Sequence, residues 1–178
     1  MINPTILSDG CITLRAIEAS DVDFVYLAEN DAQAWSVAAT VAPMSRMLIQ
    51  QYVEQYTADI YRDRQLRLIV THCDTGERIG IVDLYDYDPR NSRAGVGIYI
   101  VPAYRAQGLG VRSLSVMCRY AQEFLAIHNL YAVVAEDNVA SLKIFGKCRF
   151  VEVATLSEWV RTAQGYKSAV LLQRIADA

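Results

Sequence analysis

The apolar run Gly97-Ile98-Tyr99-Ile100-Val101 stops at Pro102, crosses Ala103-Tyr104-Arg105-Ala106-Gln107-Gly108-Leu109-Gly110 and continues from Val111 as a long amphipathic pattern. This order reads as a strand, a loop with two glycines and a helix N-terminus. Glycine lets backbone come close to a ligand, and the first amides of a helix point outward at the positive end of its dipole. Such a turn suits phosphate oxygens, and a diphosphate is the ligand it suggests. A plain turn before a buried helix has the same look, so the loop alone leaves both readings open. Two other phosphate motifs are excluded: the dinucleotide fingerprint needs a third glycine where Ser113 stands, and Gly-Lys-Ser/Thr occurs nowhere.

What remains, Arg105-x-x-Gly108-x-Gly110, resembles the pyrophosphate loop of the GNAT acyl-CoA N-acyltransferases. The resemblance implies acetyl-CoA as co-substrate. It implies cofactor contacts along Ile98, Tyr99 and Ile100, whose strand splays from its neighbour in that family, and through Arg105, Ala106, Gln107, Gly108, Leu109, Gly110 and Val111. A second family motif, Asn-x-x-Ala-x-x-Leu-Tyr-x-x-x-Gly-Phe, stands here as Asn138 to Phe150. Asn138 and Phe150 are kept, an alanine is one place out of register, the usual tyrosine is Phe145 and the usual glycine is Arg149. Asn138, Ser141 and Phe145 thereby join the expected cofactor contacts. The tyrosine protonates the leaving thiolate in many members, and a phenyl ring has no proton to give. Water or a hydroxyl such as Tyr99 or Ser141 is then left to supply it.

The chain has 178 residues, 53% of them hydrophobic, which is enough for one substantial core and short for two domains. The expectation is one GNAT domain over residues 1–178. A formal charge of −3 and no basic run argue against nucleic acid and suit an amine. Four scattered cysteines and two histidines form no metal-ligand pattern and read as free thiols in a reducing, cytoplasmic compartment. No basic region followed by an apolar one opens the chain, and no apolar run reaches ~18 residues, so neither signal peptide nor membrane span is expected.

Alternation marks Ile12, Leu14 and Ile17 as a strand, with Ser20 or Asp21 as N-cap of the helix after it. From Asn30 to Pro43 the pattern is irregular and apolar, and Trp35 reads as a cleft wall or as packing under a loop. Ser45 caps a helix carrying Leu48, Tyr52 and Tyr56 and ending near Asp63. Three antiparallel strands follow, the third being that of the opening run. After Gly110 a helix buries Leu114, Met117, Cys118, Ala121, Phe124 and Leu125. Leu130–Ala135 is a buried strand, Asn138 begins a helix through Phe145, and Val151–Val160 and Tyr166–Ile175 close as a hairpin. This order matches the GNAT fold from about Ile12 to Ile175: an α/β (α+β) chain with a mixed, mostly antiparallel sheet flanked by helices.

Acyl transfer needs an amine with a free lone pair, so a carboxylate or ordered water must take its proton. Asp83 and Glu136 are the candidate bases, with Tyr99 as the further catalytic candidate. Alternation sets Asp86 and Asp88 on one face and Asp83 on the other. The spermidine/ribosomal-protein branch, which the chain resembles most, has acidic residues at the positions of Asp83 and Asp86. With Trp35 these are the expected acceptor contacts. The reading is an N-acetyltransferase acting on a small-molecule or peptide amine, as a homodimer or higher homo-oligomer. A coenzyme A-binding module with little catalysis is the rival, on account of Phe145.

Overall fold

The computed structural model describes residues 4–31 and 42–176. Strand β1 (Ile12–Arg15) leads through a 3-10 turn, Ala19–Asp21, into α1 (Val22–Glu29). Helices α2 (Arg46–Gln55) and α3 (Ile60–Asp63) precede the strands β2 (Leu66–His72), β3 (Arg78–Asp88) and β4 (Arg93–Ile100). After them come α4 (Leu109–Arg119), β5 (Asn129–Ala135), α5 (Val139–Lys147), β6 (Val151–Thr162) and β7 (Gly165–Ile175). The sheet order is β1-β2-β3-β4-β5-β7-β6, antiparallel at every step except the parallel pair β4 and β5. This is the expected mixed, mostly antiparallel sheet.

Each face of the sheet carries its own apolar layer. On one side Leu114, Met117 and Cys118 of α4, and Ala121 just beyond its end, pack with Phe145 over Val82, Leu84, Val96 and Leu130. On the other, Val25 and Ala28 of α1 and Ile49 and Val53 of α2 cover Ile69 and Ile81. Burial of these side chains supplies most of the force that holds the helices to the sheet.

Three expectations are corrected. Asp21 does not simply cap α1: it has no exposed surface and accepts from Arg15 and Arg78 and from the Glu18 amide, tying β1 and β3 to the start of the helix. The helix from Ser45 does not reach Asp63. Tyr56 leaves it in an extended conformation to exchange hydrogen bonds through its hydroxyl with the Arg67 backbone, and Asp59 caps the separate turn α3. Phe124 is 46% exposed although its periodicity marks it as core. A π turn over Tyr120–Phe124 inserts extra arc at the end of α4 and rotates the ring outward, where it stacks on Tyr120 at 5.2 Å.

Candidate functional site

Strands β4 and β5 pair only at Arg93 with Asn129, Ala94 with Leu130 and Gly95 with Tyr131, and then part. At the fork the Tyr85 ring occupies the place of a side chain on Gly95, where a β-carbon would meet Tyr85 Cε2 at 2.2 Å. Tyr85 in turn meets Tyr131 edge-on, with ring centroids 6.0 Å apart. Beyond the fork a cavity of about 960 Å³ opens, with Ile98, Tyr99 and Ile100 on one wall and Ala135, Asn138 and Ser141 on the other. The edge of β4 facing it has lost β5 as a partner, so its backbone groups are available to an extended ligand arm.

The loop closing one end of the cavity turns its backbone amides outward. Ala106 and Gly108 hold left-handed φ values of 60° and 78°, a shape that turns successive amides toward one point. Gly108 is the N-cap of α4, and Arg112 is the first residue whose amide donates back, to the Gly108 carbonyl at 3.2 Å. The amides of Leu109, Gly110 and Val111 therefore precede the helical ladder. Lys143, Lys147 and Lys167 line the same cavity, and Lys167 is paired with Asp137 of its wall. An unpaired strand edge and outward amides are groups that pair with an extended amide-bearing arm and with anionic oxygens.

Of the sequence-derived contacts, Ile98, Tyr99, Ile100, Arg105, Ala106, Gly108, Gly110, Val111, Asn138 and Ser141 line the cavity. Gln107 instead ties the loop by donating to the Ala103 carbonyl at 3.0 Å, and Leu109 buries its side chain in the core. Phe145 is 3% exposed and packs edge-on against Phe150 at 4.9 Å, on the core side of α5. Asn138 caps α5, its side chain accepting from the Ser141 amide at 3.1 Å.

Tyr99 and Arg105 are engaged with Asp31, which sequence reasoning missed. The Tyr99 hydroxyl donates to Asp31 Oδ2 at 2.9 Å, and the Arg105 guanidinium lies 5.8 Å from the Tyr99 ring centroid while its Nε donates to the Ile100 carbonyl at 2.8 Å. Burial, then the Asp31 carboxylate, pushes the Tyr99 hydroxyl up to about 12.

The carboxylates are placed less simply. Asp83 takes two hydrogen bonds from Arg67, at 2.6 and 3.3 Å, and Arg67 also pairs with Glu29. Burial opposes the charge on Arg67, but the Asp83 carboxylate outweighs it and raises the Arg67 pKa. Glu136 is exposed, accepts from the Ser168 amide at 3.3 Å and does not line the cavity. The expected alternation fails on β3. Asp86 sits in a bulge with φ 49°, and Leu84 and Tyr87 consequently enter the same core layer. The bulge leaves Asp86 exposed and close enough to Tyr85 and Tyr131 to oppose ionisation of both. Among the described residues Asp86 makes no ion pair. Trp35 lies outside the described residues.

Lys143 and Lys147, four apart on the helix after Asn138, carried a legible signal as one face of that helix. Asp31, Glu29, Arg67 and Lys167 carried none, because each reaches the site from a distant part of the chain.

A model of the acetyltransferase (GNAT) domain matches residues 12–151. The spermidine N(1)-acetyltransferase of Escherichia coli strain K12 is 27% identical over 166 residues, spanning 89% of this chain and 83% of that protein. The Vibrio cholerae spermidine N-acetyltransferase, solved with CoA and spermine, superposes with a TM-score of 0.84 at 22% identity, over 94% of this chain and 96% of that one. The same protein has been solved as a dodecamer. A ribosomal L7/L12 alpha-N-protein acetyltransferase solved with coenzyme A gives a TM-score of 0.81 at 20% identity, over 97% of each chain.

Proposed function

The chain belongs to the GNAT acetyltransferase family, moving an acetyl group from acetyl-CoA to a primary amine, and on that premise we propose that its acceptor is a polyamine. The observation that carries this reading is Asp86: an exposed carboxylate beside two tyrosine rings, at the point where β4 and β5 part and with no cation paired to it among the described residues. A second ammonium of a polyamine pairs with such a carboxylate while the first amine enters the fork, whereas a peptide N-terminus brings only one charge. The polyamine relatives point the same way.

Acetyl-CoA lies with its arm along the free edge of β4 and its diphosphate at Gly108 to Val111, with Lys143 and Lys147 beside it. Backbone amides of β4 polarise the thioester carbonyl, and the fork aligns the amine nitrogen with it. Asp83 is committed to Arg67 and acts as a wall of the acceptor side, so the amine loses its proton to water. The Tyr99 hydroxyl proton is already given to Asp31, so in this reading Tyr99 orders Arg105 and Asp31 and does not protonate the thiolate. A thiolate is a weak enough base to leave unassisted and take its proton from solvent, which removes the objection raised by Phe145.

Residues 1–178 work as one domain in this reading. The β6–β7 hairpin carries exposed Val151, Val153 and Trp159 on the edge strand β6 and Tyr166 at the start of β7, which suits contact with further copies in a homo-oligomer in the cytoplasm.

The test is acetyl-CoA turnover against spermidine, spermine, free amino acids and peptide N-termini. Turnover is expected with the polyamines in preference to the rest. Efficient acetylation of peptides with none of polyamines would overturn the reading.

A further inference from the structure

Three glycines lie inside β3 and β4, and for two of them the neighbours explain the missing side chain. A β-carbon on Gly80 would run into the Tyr99 carbonyl and Ile100, and the Tyr85 ring fills the place over Gly95. Gly97 is different. Among the described residues a β-carbon there would meet only Asp83 Cβ and Tyr85 Cε1, each at 3.9 Å and in ordinary contact, and its φ lies outside the left-handed region. Neither packing nor backbone shape calls for glycine at this position, and a glycine inside a strand weakens it. Gly97 is also partly exposed, whereas Ala94, Gly95 and Val96 before it are buried.

The space over Gly97 has defined walls. The residue stands opposite Asp83 and two positions past Gly95 with Tyr131, the last pair of β4 with β5. Its same-face neighbours on β4 are the position of Gly95, which the Tyr85 ring occupies, and Tyr99, whose hydroxyl is held by Asp31. Same-face positions on a strand are about 6.6 Å apart, so the gap between that ring and Tyr99 is one side chain wide. Asp83 does not fill it, because Arg67 on β2 draws its carboxylate away from β4. The slot opens on the face covered by α1 and α2, since Ile81, the partner of Tyr99, packs there with Val25 and Ile49. Helix α4, whose first turn bounds the cofactor cavity, lies on the other face.

We propose, resting on the acetyltransferase reading above, that the space over Gly97 seats the carbon next to the reacting nitrogen of the acceptor. Glycine at this position then selects amines carried on an unbranched methylene against those with a branched α-carbon, such as amino acids and peptide N-termini. The methylene takes the place of the absent side chain, between Asp83 Cβ and the edge of the Tyr85 ring, and its nitrogen reaches the free edge of β4 where the thioester lies. A substituent on that carbon would have to enter the Tyr85 ring or Tyr99.

The test compares the wild type with Gly97→Ala in melting temperature, coenzyme A affinity and acetylation of spermidine and of spermidine methylated on both terminal carbons. The wild type should favour spermidine over the methylated amine by about tenfold or more in kcat/KM, the discrimination one added methyl group gives in a fitted site. Gly97→Ala should keep its melting temperature and coenzyme A affinity and lose about tenfold or more in kcat/KM for spermidine. Equal use of the two amines by the wild type, an unchanged kcat/KM in Gly97→Ala, or a fall in its melting temperature would overturn the proposal. A wild type that ignores spermidine yet acetylates n-butylamine overturns the polyamine reading alone, and n-butylamine against sec-butylamine, in both proteins, then decides the slot.

Discussion

Ile144 stands over Gly110: a β-carbon on that glycine would lie 2.9 Å from Ile144 Cδ1, so α4 and α5 meet at a point where no side chain fits between them. This glycine therefore serves helix packing, while Gly108, with open space around it and φ 78°, serves the shape of the loop. The two glycines of one motif have different physical reasons, and they predict different phenotypes.

Gly110→Ala should destabilise the fold by about 1 kcal/mol, because a packed isoleucine must give way. Ile144→Val removes the clashing methyl group, so the same alanine should be nearly neutral in that background. Thermal melts of the two single variants and the double variant measure this coupling, and strict additivity would show that the contact is not the cause.

Gly108→Val puts a β-branched residue at a left-handed φ, where strain of roughly 1–2 kcal/mol flattens the loop or melts the first turn of α4. Coenzyme A affinity should fall by about tenfold or more as loop amides lose the phosphate. Calorimetric titration on a variant shown to be folded decides it, and unchanged affinity would remove the phosphate from this loop.

Asp86→Asn should raise the KM for a polyamine about tenfold, the loss of one charge-assisted contact, with little change in kcat. Since Asp86 has no cation partner among the described residues, the melting temperature should hold. A variant that binds polyamine as tightly as the parent places the second ammonium elsewhere.

Phe145→Tyr should not speed the reaction. Phe145 is 3% exposed and faces Phe150, so a hydroxyl there is buried beside a ring and costs about 1–3 kcal/mol of stability. Turnover at saturating acetyl-CoA, read with the melting temperature, separates this from a restored proton donor, which would raise kcat.

Asp21 controls stability in acid. Although burial alone would raise its pKa, the hydrogen bonds from Arg15 and Arg78 prevail and hold it at about 2, below its ordinary 3.8. A depressed carboxylate contributes stability above its unfolded pKa and loses it as pH falls through the folded one. The contribution, about 2 kcal/mol, should thus be complete above pH ~5 and fade between about 4 and 2. Denaturant melts across that range should show a drop that Asp21→Asn, already weakened at neutral pH, lacks.

Local rules explain what was legible in the chain. The loop Arg105 to Gly110, the hairpin around Thr162 to Gly165 and the strand alternation of Ile12 and Leu14 each depend on neighbours within a few residues, and all appear where the pattern puts them. The family and the backbone shape of this loop were readable for that reason. Where a local rule was overridden, something distant intervened. Tyr56 left its helix for the Arg67 backbone, Asp21 gave up simple capping for two arginines, and Phe124 was turned outward by a π turn. Asp86 changed face because one inserted residue reverses the period of two. By itself the sequence determined the order of elements and the glycine turn at the start of α4, since backbone conformation and helix ends are short-range properties. Only the tertiary structure decided which carboxylates are engaged, because pairing Asp83 with Arg67 and Asp31 with Tyr99, and leaving Asp86 without an ion pair among the described residues, depends on contacts between segments far apart in the chain.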